Sequence, residues 1–200
     1  MRALDVLGIS GSLRAGSYNS ALLRAAVERA GDDLVIDVYD GLRELPPYDA
    51  DLDTDEPPAE VAALRRAVTG ADGLLIATPE YNYSVPGVLK NAIDWASRPV
   101  PGSSLERKPI AIMGAAPGAF GSVRAQLALR QSFLWTDSLV VTKPEVVVFR
   151  AAERFEDGRL VDEGTDRLVR DLLAALVALI RSTGVRSEGG APDEVAISPV

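Results

Sequence analysis

Residues 73–87 read Gly-Leu-Leu-Ile-Ala-Thr-Pro-Glu-Tyr-Asn-Tyr-Ser-Val-Pro-Gly. The first part, Gly73 to Thr78, is a short apolar run of the kind a strand buried on both faces of a parallel sheet requires. The second, Pro79 to Gly87, is polar and aromatic and contains a proline near each end. In an open α/β sheet the loop leaving the carboxyl end of such a strand is where ligands bind. Two tyrosines held between two prolines exceed what a connection needs. They suit a site that grips a flat aromatic molecule.

The flanking sequence supplies the rest of that sheet. Ala3–Ile9 reads as a first buried strand and Asn19–Ala30 as a helix, with Leu22, Leu23, Ala26 and Val27 on one face and Asn19 or Ser20 as its cap. Leu34–Tyr39 alternates imperfectly, as an edge strand does. Ala59–Thr69 follows Pro57-Pro58 as a second helix closed by Gly70, and Pro86–Ser97 is a third with proline in its first turn. Pro109–Ala115 is a further strand and Ser122–Trp135 a further helix. Leu139–Phe149 is a fifth strand region broken by Pro144, and Thr165–Arg181 a last, strongly apolar helix. The alternation predicts an α/β fold, a doubly wound five-stranded parallel sheet with helices on both faces. Residues 1–184 then form one domain. Residues 185–200, with Gly189-Gly190, Pro192 and no periodicity, are expected to be a flexible tail.

Composition narrows the chemistry. The 200 residues carry a net charge of −8, which disfavours nucleic acid and anionic membrane surfaces as partners. No apolar run approaches the ~18 residues of a membrane span. Met1 to Asp5 lead directly into a strand without a signal-like apolar core, so a cytoplasmic protein is expected. With no cysteine and no histidine, thiolate nucleophiles, Cys/His zinc sites and a Ser-His-Asp triad are excluded. Redox chemistry on this chain has to be carried by a cofactor.

The loop after the first strand, Ser10-Gly11-Ser12-Leu13-Arg14-Ala15-Gly16-Ser17-Tyr18-Asn19, brings hydroxyls, an amide, a guanidinium and two glycines to a helix N-terminus. Free N–H groups and the helix dipole already favour an anion there, so a phosphate cradle is the natural reading. Gly11 and Gly16 have P-loop spacing, but Ser17 stands where the lysine belongs; G-x-G-x-x-G and G-x-S-x-G are also absent. A hydroxyl-rich loop suits a monophosphate held permanently. Combined with the aromatic loop, it points to flavin mononucleotide (FMN).

Two segments carry a resemblance. Gly11-Ser12-Leu13-Arg14-x-x-Ser17-x-Asn19 and Pro79-Glu80-Tyr81-Asn82-x-Ser84-x-Pro86-Gly87-x-Leu89-Lys90-Asn91-x-Ile93-Asp94-Trp95 resemble the NAD(P)H-dependent FMN reductases, a family that includes quinone, chromate and azo-dye reductases. The likeness runs from about residue 4 to 182 and implies a flavodoxin-like fold with FMN at the carboxyl edge of the sheet. By position it implies that Ser10, Ser12, Arg14, Ser17 and Asn19 hold the FMN phosphate, with Tyr18 also among the cofactor-binding residues. Pro79, Glu80, Tyr81, Asn82 and Tyr83 would follow the ribityl chain and ring edge, partly through backbone groups, with Gly118 and Gly121 in a second ring-side loop. That loop departs from the family at Ala116, where a hydroxyl residue is usual, and at Ser122, where a second glycine is. The implied activity is hydride transfer from NAD(P)H to FMN and onward to quinone-like acceptors by a ping-pong scheme, in a homodimer or homotetramer. A non-catalytic flavodoxin-like carrier, or a reductase that releases reduced flavin to a monooxygenase, is compatible with the same site. No further basic cluster marks a 2′-phosphate subsite, so NADH and NADPH are not separated.

Other patterns are structural. Asp49, Asp51, Asp53, Asp55 and Glu60 have EF-hand spacing, but Thr54 replaces the required glycine and Pro57-Pro58 break the geometry. Leu45-Pro46-Pro47-Tyr48 leads into this acidic loop and, by the resemblance, lies toward the active-site side. Asn91, Asp94 and Trp95 are expected to fix a loop or face a partner subunit. The last helix and the helix bearing Trp95 are the candidate dimer surfaces, and Arg124 with Glu145 a candidate pair across one.

Overall fold

The computed structural model describes residues 2–183. The proposed tail, residues 185–200, lies outside the described residues. The main elements are β1 Leu4–Ser10, α1 Tyr18–Arg29, β2 Leu34–Tyr39, α2 Ala59–Gly70, β3 Gly73–Ala77, α3 Gly87–Ala96, β4 Pro109–Ala115, α4 Val123–Trp135 and α5 Glu163–Ser182. Two short strands follow α4, β5 Leu139–Val140 and β6 Val146–Val148. The strands pair in parallel in the order β2-β1-β3-β4-β5, with β6 also on β4. This is the flavodoxin-like order, and its crevice opens where the chain leaves β1 toward opposite sides of the sheet, at the carboxyl ends of β1 and β3.

The fifth strand region is two pieces rather than one. Leu139 and Val140 pair with Pro109 and Ile110, and Val146–Val148 pair with Met113–Ala115. Between them residues 141–145 answer only residues 111 and 112 of β4, so the excess chain around Pro144, which has no N–H to donate, leaves the ladder. Past β6 the chain adds a hairpin, β7 Phe155–Glu156 and β8 Arg159–Leu160. Its turn residues Asp157 and Gly158 both have positive φ, 47° and 75°, the Asp-Gly turn chemistry that signals a tight hairpin.

Alternate residues of the strands feed two cores, as the pleat dictates. Val6, Leu75, Ala77, Ala111 and Met113 pack under α1 and α5, whereas Leu7, Ile9, Leu74, Ile76, Ile110 and Ile112 pack under α2, α3 and α4. Val27 of α1 is exposed; Ala21 and Ala25 join Leu22, Leu23 and Ala26 inside. Among the described residues no helix is long and apolar enough to cross a membrane.

Candidate functional site

The cradle forms where β1 hands over to α1. The cap is Ser17, whose Oγ accepts from the N–H groups of Asn19 and Ser20 at 3.1 and 3.4 Å. The expected cap at Asn19 or Ser20 is therefore corrected: the polar residues 18–20 already have helical backbone, which moves the boundary toward the N-terminus. Ser10 Oγ pairs with Ser20 Oγ at 2.9 Å. Tyr18 packs its ring on Phe155, with centroids 5.5 Å apart, and the Arg14 guanidinium lies 5.8 Å from the Tyr18 ring centre. Arg14, Ala15 and Gly16 are exposed. Among the described residues the N–H groups of Leu13, Ala15, Gly16 and Tyr18 find no acceptor, and they stand at the positive end of the α1 dipole.

Asn19 does something else. Its side chain is buried, with Nδ2 donating to Ala115 O and Oδ1 accepting from Ala115 N–H, both at 2.9 Å. The amide ties the first turn of α1 to the end of β4, and both of its polar atoms are engaged there.

The aromatic loop opens with buried Pro79 and then makes a tight turn. Tyr81 and Ser84 exchange main-chain hydrogen bonds at 3.1 and 3.0 Å, and the residues between them, Asn82 and Tyr83, both have positive φ, 49° and 68°. Tyr81 Oη comes within 3.4 Å of Ser12 Oγ, which brings the two loops together over the crevice. Gly11 sits beneath this junction; a Cβ there would lie 2.9 Å from Leu89 Cδ2 and 3.3 Å from Pro79 Cδ.

Glu80 turns away from the crevice. Its carboxylate, 6% exposed, accepts from Arg124 N–H at 2.9 Å and Arg124 Nε at 2.6 Å, with Arg124 Nη2 and Ala125 N–H also in reach. Burial alone would raise the Glu80 carboxyl, but the hydrogen bonds from the Arg124 guanidinium and from the two main-chain N–H groups outweigh it and hold the group below its usual range. The Glu80 side chain thus caps α4 from another loop. Within the chain Arg124 is engaged by Glu80, and Glu145 lies 3.4 Å from Lys143.

The third loop, residues 116–122, runs beside residues 148–151 through Ala116 N–H to Val148 O and Arg150 N–H to Gly118 O, both 2.9 Å. Gly118 is open, with nothing within 4 Å of a Cβ there, as a face awaiting a flat ligand would be. Gly121 has a structural task, since its φ is +57° and a Cβ would stand 2.5 Å from Val147 Cγ1.

Asn91 and Trp95 fix a loop: Asn91 Nδ2 and Trp95 Nε1 each donate to Pro46 O at 2.8 Å, and Asn91 Oδ1 accepts from Tyr48 N–H at 2.8 Å. Trp95 is fully buried, so it cannot face a partner. The acidic stretch of residues 49–55 is likewise engaged with its own chain, Asp53 with Arg65 at 2.6 Å. One residue near the cradle escaped the sequence reading. Arg43, on the turn after β2, donates to Leu13 O at 3.0 Å; the edge position of β2 beside β1 is the only cue that could have placed it.

The donor set therefore fits FMN: hydroxyls and free N–H groups at a helix dipole for the phosphate, and an aromatic turn facing an open glycine loop for the ring. Comparisons with known proteins agree. Residues 4–153 match the profile of the family described as NADPH-dependent FMN reductase. The chain is 46% identical over 179 residues to the NAD(P)H-dependent FMN reductase of Pseudomonas aeruginosa, covering 89% of this chain and 96% of that protein. It is 41% identical over 175 residues to the quinone reductase of Escherichia coli K12, covering 86% and 93%. Its fold superposes on the flavoenzyme NAD(P)H:(acceptor) oxidoreductase of Paracoccus denitrificans with a TM-score of 0.83 and 34% identity, covering 92% of this chain and all of that one.

Proposed function

Because the chain belongs to the NADPH-dependent FMN reductase family, we propose that it is an NAD(P)H-dependent flavoenzyme that reduces quinones and other small, flat electron acceptors. The observation that carries the reading is the meeting of the two loops at the sheet's switch point, Ser12 against Tyr81.

Ser12, Ser17 and Arg14, with the free N–H groups of the cradle, would hold the FMN phosphate, and the main chain of Pro79–Tyr83 and Gly118 would flank the ring. Bound FMN supplies a two-electron carrier between NAD(P)H and the acceptor. Tyr81, Tyr83 and Phe120 are exposed at the rim and offer stacking surfaces to flat substrates. Preformed main-chain N–H groups around the crevice stabilise negative charge without moving a proton, which suits a chain that has no histidine. Nicotinamide and acceptor share the one crevice and occupy it in turn, hence ping-pong kinetics.

The enzyme works in the cytoplasm, where NAD(P)H is supplied, and as a homodimer or homotetramer. The oligomer surface we favour is the outer face of α4, where Leu127, Leu134 and Trp135 are exposed, rather than the helix of buried Trp95.

The test is direct. Protein reconstituted with FMN should stay yellow through gel filtration and bleach rapidly when NADPH is added without oxygen. Initial rates with a benzoquinone should then give parallel double-reciprocal lines. Material that remains colourless and shows no affinity for FMN refutes the proposal. Colour that persists under NADPH would mark an electron carrier instead.

A further inference from the structure

The loops leaving β3 and β4, residues 79–84 and 116–122, are joined by more than proximity. Glu80, on the first, reaches the opening turn of α4, which continues the second, and takes main-chain and guanidinium donors of Arg124 on its two oxygens. The guanidinium held there lies 3.6 Å from the ring centre of Tyr83 and 4.8 Å from that of Phe120, one aromatic residue from each loop. Tyr83 and Phe120 are 73% and 65% exposed, so core packing does not order them. Tyr83 also has φ +68°, a conformation that a bulky residue keeps only where its surroundings enforce it. What enforces it is the Tyr81–Ser84 hydrogen-bond pair on one side and the Arg124 plate on the other. A planar guanidinium can serve both aromatic faces and a carboxylate at once, which an ammonium cannot.

We propose that Glu80 and Arg124 are positioning residues that lock the two ring-side loops into one clamp, and so set flavin affinity through Tyr83 and Phe120 rather than by their own contact. The proposal rests on the FMN reading above. It extends that reading by separating residues that hold the phosphate from residues that hold the walls of the ring site.

The two flavins FMN and riboflavin, which differ by the phosphate, test it by fluorescence titration far below each variant's melting temperature. Glu80→Gln and Arg124→Gln should each raise the dissociation constants of both flavins about tenfold, the scale of one charge-assisted hydrogen bond. The double variant should also stand near tenfold rather than near a hundredfold, because the pair acts as a unit. Ser17→Ala is the contrast, weakening FMN and leaving riboflavin unchanged. A role confined to stabilising α4 lowers the melting temperature and leaves both affinities where they were. That result, a loss confined to FMN, or additive losses in the double variant overturns the clamp. Failure of the unsubstituted chain to bind either flavin overturns the cofactor assignment itself, and is recognised before any variant is made.

Discussion

The amide of Asn19 and the main chain of Ala115 form a closed pair, each donating one hydrogen bond and accepting one, 96 positions apart in sequence. The first turn of α1 is thereby fastened to the last residue of β4, at the point where the third loop begins. Asn19 thus adds a polar tie between the cradle and the third loop to the apolar packing of α1 on the sheet.

Asn19→Ala should therefore be costly although it removes few atoms. It leaves the N–H and C=O of Ala115 buried without partners, at about 1–3 kcal/mol each, so a loss of roughly 2–6 kcal/mol is expected in urea unfolding. Asn19→Asp should not rescue it. A carboxylate can accept from the Ala115 N–H but offers nothing to its carbonyl.

Three glycines of the same region should respond differently to one methyl group. In Gly114→Ala the new Cβ would lie 2.0 Å from Ser122 Oγ and 2.3 Å from Thr78 O, and main chain cannot step aside. A loss of about 3 kcal/mol or outright failure to fold is expected. Gly121→Ala meets Val147 and a positive φ, and should cost about 1–3 kcal/mol. Gly118→Ala meets nothing, so stability should stay within about 0.5 kcal/mol. If the flavin ring lies on that backbone, Gly118→Ala should nevertheless weaken flavin binding, and thermal melts paired with flavin titrations separate the two effects.

Acid should loosen the structure only once the pH has fallen into and below the ordinary carboxylate range of an unfolded chain. The Glu80 carboxyl is held under its usual value of 4.5 by hydrogen bonds that outweigh burial. Asp162, bonded to Thr165 and Arg154, and Asp166, bonded to Arg170 and Arg29, are held under 3.8. A group whose folded pKa is depressed contributes stability above its unfolded pKa and loses it as pH falls through the folded one. Urea midpoints should thus be level near neutrality and fall progressively below about pH 4.5. Glu80→Gln should shallow that acid limb. A limb of unchanged slope would show that Glu80 does not contribute to it.

The α4 face offers a test of assembly that spares the fold. Leu134 and Trp135 are 81% and 84% exposed, so replacing both by arginine should change monomer stability by only about 0.5 kcal/mol. Sedimentation velocity should nonetheless show the oligomer shifted to monomer. An unshifted profile would move the interface elsewhere.

The limits of sequence reading here follow from the range of the interactions. The run Gly73–Ala77 declared a strand buried on both faces because every residue in it is apolar, and the prolines of residues 79–87 marked the loop that leaves it. Those are properties of neighbours. The Asp157-Gly158 hairpin, absent from the elements expected above, carried the same kind of local signal. By contrast the side-chain partners of Glu80, Asn19 and Trp95 lie far along the chain: the N-terminus of α4, the end of β4 and the carbonyl of Pro46.

By itself, then, the order of residues determined the alternation of strands and helices, the two polar loops at strand ends and the need for a borrowed redox group. Apolar periodicity, proline, glycine and the missing histidine and cysteine act locally or by composition. Only the tertiary structure decided which polar side chains remain free for a ligand. A buried hydrogen-bonding group must find its partner wherever packing brings one, and that partner is chosen by the folding of the whole sheet rather than by adjacent residues.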